Sequence, residues 1–252
     1  VVNILLVGWD DVSATDASAD VCPRLAAFRG EAFESCGFSH PVCGQSRQAI
    51  LFGSYAKKIG TWEDIGTMLP TAITPPLSLP TLPGVLQAAG YETALVGKWH
   101  CGPCPDSSDW ALAPFQRGYG SWLAGTRLNL NSSPSVDYDD WQRVDTVGAS
   151  FTVTENETQY PTIAQVQAAG GWWEEHESSS KRFLHVALNA PHAPFHAPPT
   201  SLLAGWPQPS LGASNRVKFR AMLRSADTAF GQLLDLVGPS TAVFLYSDNG
   251  TS

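Results

Sequence analysis

The sequence predicts an α/β fold in which a mostly parallel central sheet is sandwiched between helices. Three observations lead there. Four short apolar runs rich in β-branched residues, at 1–7, 93–96, 183–188 and 242–246, read as strands buried on both faces. Helical patterns fill the stretches between them, and that alternation requires a parallel sheet covered on both sides. Each apolar run also empties into a polar cluster, as strands of an open α/β sheet do where their carboxyl ends meet a ligand.

Taken in order, the run 1–7 leads into Trp9-Asp10-Asp11. Residues 23–33 carry Leu25, Phe28 and Phe33 on one apolar helical face, and a short helix is expected after Cys43. The stretch 70–83 is a Pro- and Thr-rich loop. Residues 81–89 form a helix capped by Thr81 and stopped by Gly90. The run 93–96 then reaches Lys98-Trp99-His100. Residues 104–160, irregular and rich in Gly, Ser and Asp, are expected to be a surface insertion that shapes a substrate pocket within one domain spanning 1–252. The run 183–188 leads into Asn189-Ala190-Pro191-His192. The clearest helix, 214–237, repeats Val217, Leu223, Phe230, Leu233, Leu234 and Val237 up to a Gly238-Pro239 stop. The last run, 242–246, meets Ser247-Asp248-Asn249-Gly250.

Composition excludes several classes. The 252 residues hold 43% hydrophobic and only 15% charged residues, against roughly 25% charged in an average globular protein. Disorder needs the opposite balance. With 15 Lys and Arg against 23 Asp and Glu, the net charge is −8 and no basic run attracts a phosphate backbone, so nucleic acid is not an expected partner. No apolar stretch approaches the roughly 20 residues of a membrane span. Five cysteines, Cys22, Cys36, Cys43, Cys101 and Cys104, are too few for a disulfide framework of this size, and their odd number leaves at least one unpaired.

The polar clusters carry the chemistry. Asp10, Asp11, Asp248 and Asn249 make an all-oxygen set suited to a hard divalent cation, Ca²⁺ or Mg²⁺. Either pair alone is ordinary turn chemistry; both at strand ends point to a metal. Cys43 at the start of a helix sits where an anion or a nucleophile is favoured, and Arg47 would return over that turn as an anion clamp. Alone, a small buried cysteine and a surface arginine account for the same residues. Lys98, His100 and His192 singly are ordinary solvated or hydrogen-bonded side chains; their place in the ordered set marks them out.

That ordered set resembles a known family. Cys43-Gly44-Gln45-Ser46-Arg47 followed by Leu51-Phe52-Gly53 is similar to the sulfatase signature Cys-x-Pro-Ser-Arg with a following Leu-x-Gly. Asp10-Asp11, Lys98-Trp99-His100-x-Gly102, Asn189-Ala190-Pro191-His192 and Ser247-Asp248-Asn249-Gly250 follow in the family's order, so nearly the whole chain resembles the type I sulfatases of the alkaline-phosphatase-like superfamily. The resemblance implies that a formylglycine-generating enzyme oxidises Cys43 to formylglycine. One hydroxyl of its hydrate attacks sulfur, and the other then loses a proton and expels sulfate. It also implies that Asp10, Asp11, Asp248 and Asn249 bind calcium, with magnesium the alternative, and that Arg47 steadies the formylglycine. Lys98 and His192 would contact sulfate or the leaving oxygen, and His100 would accept the second hydroxyl's proton.

The substrate is then a sulfated small molecule or carbohydrate, and the setting extracytoplasmic: secreted, periplasmic or lysosome-like. Two other readings share these residues: a phosphate or phosphonate monoester hydrolase of the same superfamily, and a sulfatase-like pseudoenzyme. Gln45 stands where the signature has Pro or Ala, and Ser54-Tyr55-Ala56-Lys57-Lys58 where the family often has Arg-Tyr-x-x-Arg/His. A further sulfate-binding Lys and a C-terminal subdomain, expected after Gly250, are missing from the 252 residues. Cys101-Gly102-Pro103-Cys104 has the thioredoxin spacing, but a turn-rich loop follows where a redox motif needs a helix. Sequons begin at Asn131, Asn156 and Asn249, the last excluded from glycosylation by its place among the metal ligands.

Overall fold

A computed structural model describes residues 2–28, 30, 40–61, 75–102, 110–131, 136–179 and 181–250. Strands β1 (Asn3–Trp9), β2 (Glu92–Lys98), β6 (Arg182–Ala187) and β7 (Thr241–Ser247) coincide with the four apolar runs to within a few residues. They join β3 (Ser121–Thr126), β4 (Trp141–Val147) and β5 (Ser150–Glu157) in one sheet of order β5-β4-β3-β2-β6-β1-β7. The five strands from β3 to β7 in that order are parallel, while β4 and β5 continue the sheet antiparallel.

Alternate residues divide the core between two faces, as the pleat dictates. Leu5, Val7, Ala94, Val96, Leu184 and Val186 pack beneath α1 (Pro23–Ala27), α5 (Pro161–Glu175) and α6 (Asn215–Val237). Leu95, Trp122 and Phe183 face the other way, towards α2 (Cys43–Phe52), α3 (Leu82–Ala88) and α4 (Ala113–Gln116). The caps read from the sequence are present. Thr81 Oγ1 accepts from Gly84 N at 3.2 Å, Gly90 follows α3 at φ +83°, and Gly238 ends α6 at φ +71°.

Two expectations need correction. The stretch 104–160 is not irregular. It contains α4, β3, β4 and β5, while residues 104–109 and 132–135 lie outside the described set. The β4–β5 hairpin carries polar residues on a solvated face and turns through Gly148 at φ +57°, so it offers no continuous apolar run. The helix expected over 23–33 is shorter: α1 ends at Ala27, because Phe28 is extended at φ −68° and ψ 116°. The rest of that segment, apart from Gly30, falls outside the described residues, as do Cys36, Cys104 and 70–74 of the Pro-rich loop. Helix α5, unpredicted, is obscured in the sequence by Gly170-Gly171 and the adjacent Trp172-Trp173, which break its period.

One glycine decides where β2 delivers its last residue. Gly97 takes φ +89° inside the strand, at an irregularity in the β2–β3 register, and a Cβ there would lie 2.2 Å from Ala187 O. The resulting bulge re-aims Lys98.

Candidate active site

The parallel strands end at one edge, and their terminal residues meet. Asp10 follows β1, Lys98 closes β2, Asn189 and His192 follow β6, and Asp248 and Asn249 follow β7. Two of the residues just beyond strands are held at positive φ, Asp11 at 61° and His100 at 49°. Such a backbone persists where its surroundings over-determine it, and it clusters at functional sites.

Helix α2 supplies the remainder. Its first six residues, Cys43 to Gln48, are all buried although most are polar, an unusual load for a helix N-terminus. Gly53 closes it at φ +58°, which returns the chain outward after Leu51 and Phe52.

Buried charges knit these parts together. Lys98 Nζ donates to Asp10 Oδ2, and both side chains are fully buried. Arg47 Nε donates to Asp248 Oδ2 at 2.8 Å, its guanidinium lies 3.5 Å from Asp10, and it donates again to Lys98 O at 3.3 Å. Asp248 Oδ1 accepts from Asp11 N at 3.2 Å, so both of its oxygens are engaged. Burial works to raise the Asp10 pKa, but Lys98, His192 and Arg47 outweigh it and hold the carboxyl well below the usual range. Burial, and then the negative charge of Asp10, push Asp248 up to about 6. Burial opposes the Arg47 charge, yet Asp248 and Asp10 raise its pKa further.

The donor atoms suit a cation. Ligand atoms of Asp10, Asp11, Cys43 and His192 lie within 4.8 Å of one another. Cys43 Sγ is 3.9 Å from Asp11 Oδ1, and His192 Nε2 is 3.4 Å from Asp11 Oδ2. Asp10 Oδ1 and Asn249 Oδ1 are buried acceptors with no hydrogen-bond donor among the described residues, a costly state that a cation would relieve. Asn249 Nδ2 donates to Asp11 Oδ1, which ties the β7 end to the same carboxylate. Asp248 also positions Asp11 and Arg47. Three carboxylates against Arg47 and Lys98 leave the cluster a net negative charge for a divalent ion to reverse.

His100 is buried beside the cluster rather than in it. Its Nδ1 has no hydrogen-bond partner among the described residues, and its backbone N donates to Arg127 O at 3.1 Å. Burial, then Lys98 and Arg47, push its pKa well down, leaving a neutral imidazole able to take a proton. Burial also pushes the Cys43 thiol up to about 12, so the encoded side chain is a neutral thiol.

The Sulfatase family model matches residues 3–252. The chain belongs to the sulfatase family. It is 27% identical over 277 aligned residues to N-acetylgalactosamine-6-sulfatase of Mus musculus, covering 99% of this chain and 50% of that protein. It is 28% identical to an arylsulfatase of Hemicentrotus pulcherrimus, covering 98% of this chain and 47% of the relative. This sulfatase chain thus spans about half the length of the curated relatives it matches. Among solved structures, Ps i-CgsB superimposes with a TM-score of 0.77 at 25% identity, covering 100% of this chain and 59% of that one. The fold is therefore that of a sulfatase, alkaline-phosphatase-like.

Two side chains of this sulfatase support the site without having signalled it in the sequence. Tyr138 Oη sits 2.8 Å from Asn189 O and 2.9 Å from His192 O, and so pins the turn that carries His192. Gln48 Nε2 donates to Cys101 O at 2.9 Å, fixing α2 to the loop after His100. Among the described residues Cys101 and Cys22 form no disulfide, and Cys101 belongs to this loop. Among the described residues no helix is long and apolar enough to cross a membrane.

Proposed function

We propose that this chain hydrolyses a sulfate monoester of a carbohydrate to an alcohol and inorganic sulfate, using a formylglycine made from Cys43 by a formylglycine-generating enzyme and a calcium ion, with magnesium the alternative. The convergence of Asp10, Asp11, Cys43 and His192 within 4.8 Å carries the reading, because it sets the signature cysteine against a cation-type donor set. The N-acetylgalactosamine-6-sulfatase relatives support a sugar as the alcohol. An extracytoplasmic setting goes with it, and the sequon residues Asn131 and Asn156 are exposed.

Asp10, Asp11, Asp248 and Asn249 would hold the cation. Formylglycine and cation together supply a hydroxyl nucleophile and Lewis-acid polarisation of the sulfate oxygens. Arg47, braced by Asp248 and Asp10, steadies residue 43. Lys98 and His192 bind the sulfate and the leaving oxygen and offset the repulsion an anionic substrate meets at a −8 protein. His100, kept neutral by burial, accepts the proton whose removal releases sulfate.

The test is sulfate release from para-nitrophenyl sulfate by the full-length protein made alongside a formylglycine-generating enzyme, with calcium and with chelator. The mass of the Cys43 peptide is read in parallel. Expected are an aldehyde or its hydrate at residue 43, turnover lost on chelation, and turnover abolished in Cys43→Ala. An unmodified Cys43 in that host would sink the formylglycine mechanism; faster release of phosphate than sulfate would make the chain a phosphate monoester hydrolase.

A further inference from the structure

At the carboxyl end of β3 lies a cavity of about 340 Å³, in the size range of small-molecule sites. Its lining joins it to the candidate active site. Thr126 O accepts from Trp99 N at 2.9 Å and Arg127 O from His100 N at 3.1 Å, while the Thr126 hydroxyl pairs with the Asn189 amide at 3.0 Å. Two residues of its wall are therefore tied directly to the Lys98–His100 segment and to Asn189, at the start of the turn that carries His192.

Arg127 is the exceptional residue of this wall. Its guanidinium lies 5.0 Å from the centre of the Trp110 ring, and its buried Nε has no hydrogen-bond partner among the described residues. Every other described arginine side chain has a carboxylate or a backbone carbonyl as partner. Burial shifts the Arg127 pKa downward, as for a cation with no acid beside it among the described residues. Asn129 Oδ1, on the same wall, is a second buried atom without a partner among the described residues. Opposite, Gln142 and Glu155 hydrogen-bond each other at 2.7 Å, and Asp140 accepts from Asn156 at 3.1 Å. A planar cation without a partner among the described residues, with amides, carboxylates and Trp141 in the same lining, suits a ring that bears hydroxyls and one anionic group.

We propose that this cavity is the subsite for the sugar ring at or next to the scissile sulfate ester, with Arg127 binding an anionic substituent of that ring, a carboxylate or a second sulfate. The proposal rests on the sulfatase reading above. Arg127 selects among substrates; it takes no part in breaking the ester.

The test compares the matured full-length protein with its Arg127→Gln and Arg127→Lys forms. Four substrates are used: para-nitrophenyl sulfate, monosulfated N-acetylgalactosamine, disulfated N-acetylgalactosamine, and the monosulfated sugar linked to glucuronate. Arg127→Gln is expected to raise KM about tenfold or more for one of the last two, the loss of one charge-assisted contact, with para-nitrophenyl sulfate unchanged and Arg127→Lys recovering part. The substrate that suffers identifies the anion. Equal losses on all four, or none on any, would overturn the subsite.

Calorimetry with the same two anionic sugars on Cys43→Ala protein reads binding without turnover. Affinity that depends on Arg127 supports the subsite even where no sulfate is released, in which case the sulfatase reading alone fails. Affinity indifferent to Arg127 removes the subsite and leaves the sulfatase reading standing.

Discussion

Arg47 joins two strand ends that share no backbone contact of their own, reaching Asp248 after β7 and Lys98 O at the end of β2. Its side chain is 3% exposed, so removing it strands buried carboxylates without their counter-charge. Arg47→Ala should cost about 3–5 kcal/mol in urea unfolding without added metal. Arg47→Lys, a point charge without the fork, should recover only part of it. A second residue-scale prediction concerns His185, whose two ring nitrogens lie 2.8 Å from Tyr119 Oη and 2.8 Å from Tyr246 Oη. Burial, helped by the Arg47 charge, lowers its pKa from 6.5 to about 3. Between those values the unfolded chain binds a proton that the folded chain refuses, so stability falls as pH falls through the window, by about 1.4 kcal/mol per pH unit. His185→Gln should flatten the pH dependence of unfolding by one proton between pH 6.5 and 3 relative to wild type; an unchanged slope would place the charge elsewhere.

At the scale of elements, β2 depends on Gly97 and the turn after β6 on Tyr138. Gly97→Ala forces a Cβ against Ala187 O and strains a positive φ, so a loss of about 2–4 kcal/mol is expected in thermal or urea unfolding. Tyr138→Phe should cost about 1 kcal/mol and lower kcat more than KM changes, because it frees the turn bearing His192. The elements legible in the sequence are those whose pattern is continuous: four strands buried on both faces, α6 with its glycine stop, and α3 between Thr81 and Gly90. β4 and β5 were hidden because a strand with one wet face looks like a polar loop, and α5 because two glycines and paired tryptophans disturb its period. The candidate site follows the same rule. Asp10, Asp11, Cys43 and His192 stood out because they follow apolar runs or open the signature helix of one ordered set, whereas Tyr138 and Gln48 act on backbone carbonyls, which any sequence supplies.

The whole molecule gathers net negative charge and then sets three carboxylates, two of them fully buried, at one end of the sheet. A cation that binds only the folded chain must stabilise it, by about 2.7 kcal/mol at a hundredfold excess over Kd. Calcium should therefore raise Tm and chelator reverse it; a Tm indifferent to both would remove the cation from these residues. The two sides of the cluster are not equally anchored. Asp10 and Lys98 stand at the ends of β1 and β2, each flanked by strands on both sides, whereas β7, which leads to Asp248 and Asn249, pairs with β1 alone among the described strands. A strand tethered along one side opens locally at lower cost than its neighbours. Cation affinity and the integrity of that margin are then a single equilibrium, in which each fraying of β7 carries two of the four candidate ligands away. Amide hydrogens of β7 should exchange fastest in the sheet's parallel part and slow most when calcium is present, so that occupancy can be followed by deuterium uptake along one seven-residue strand.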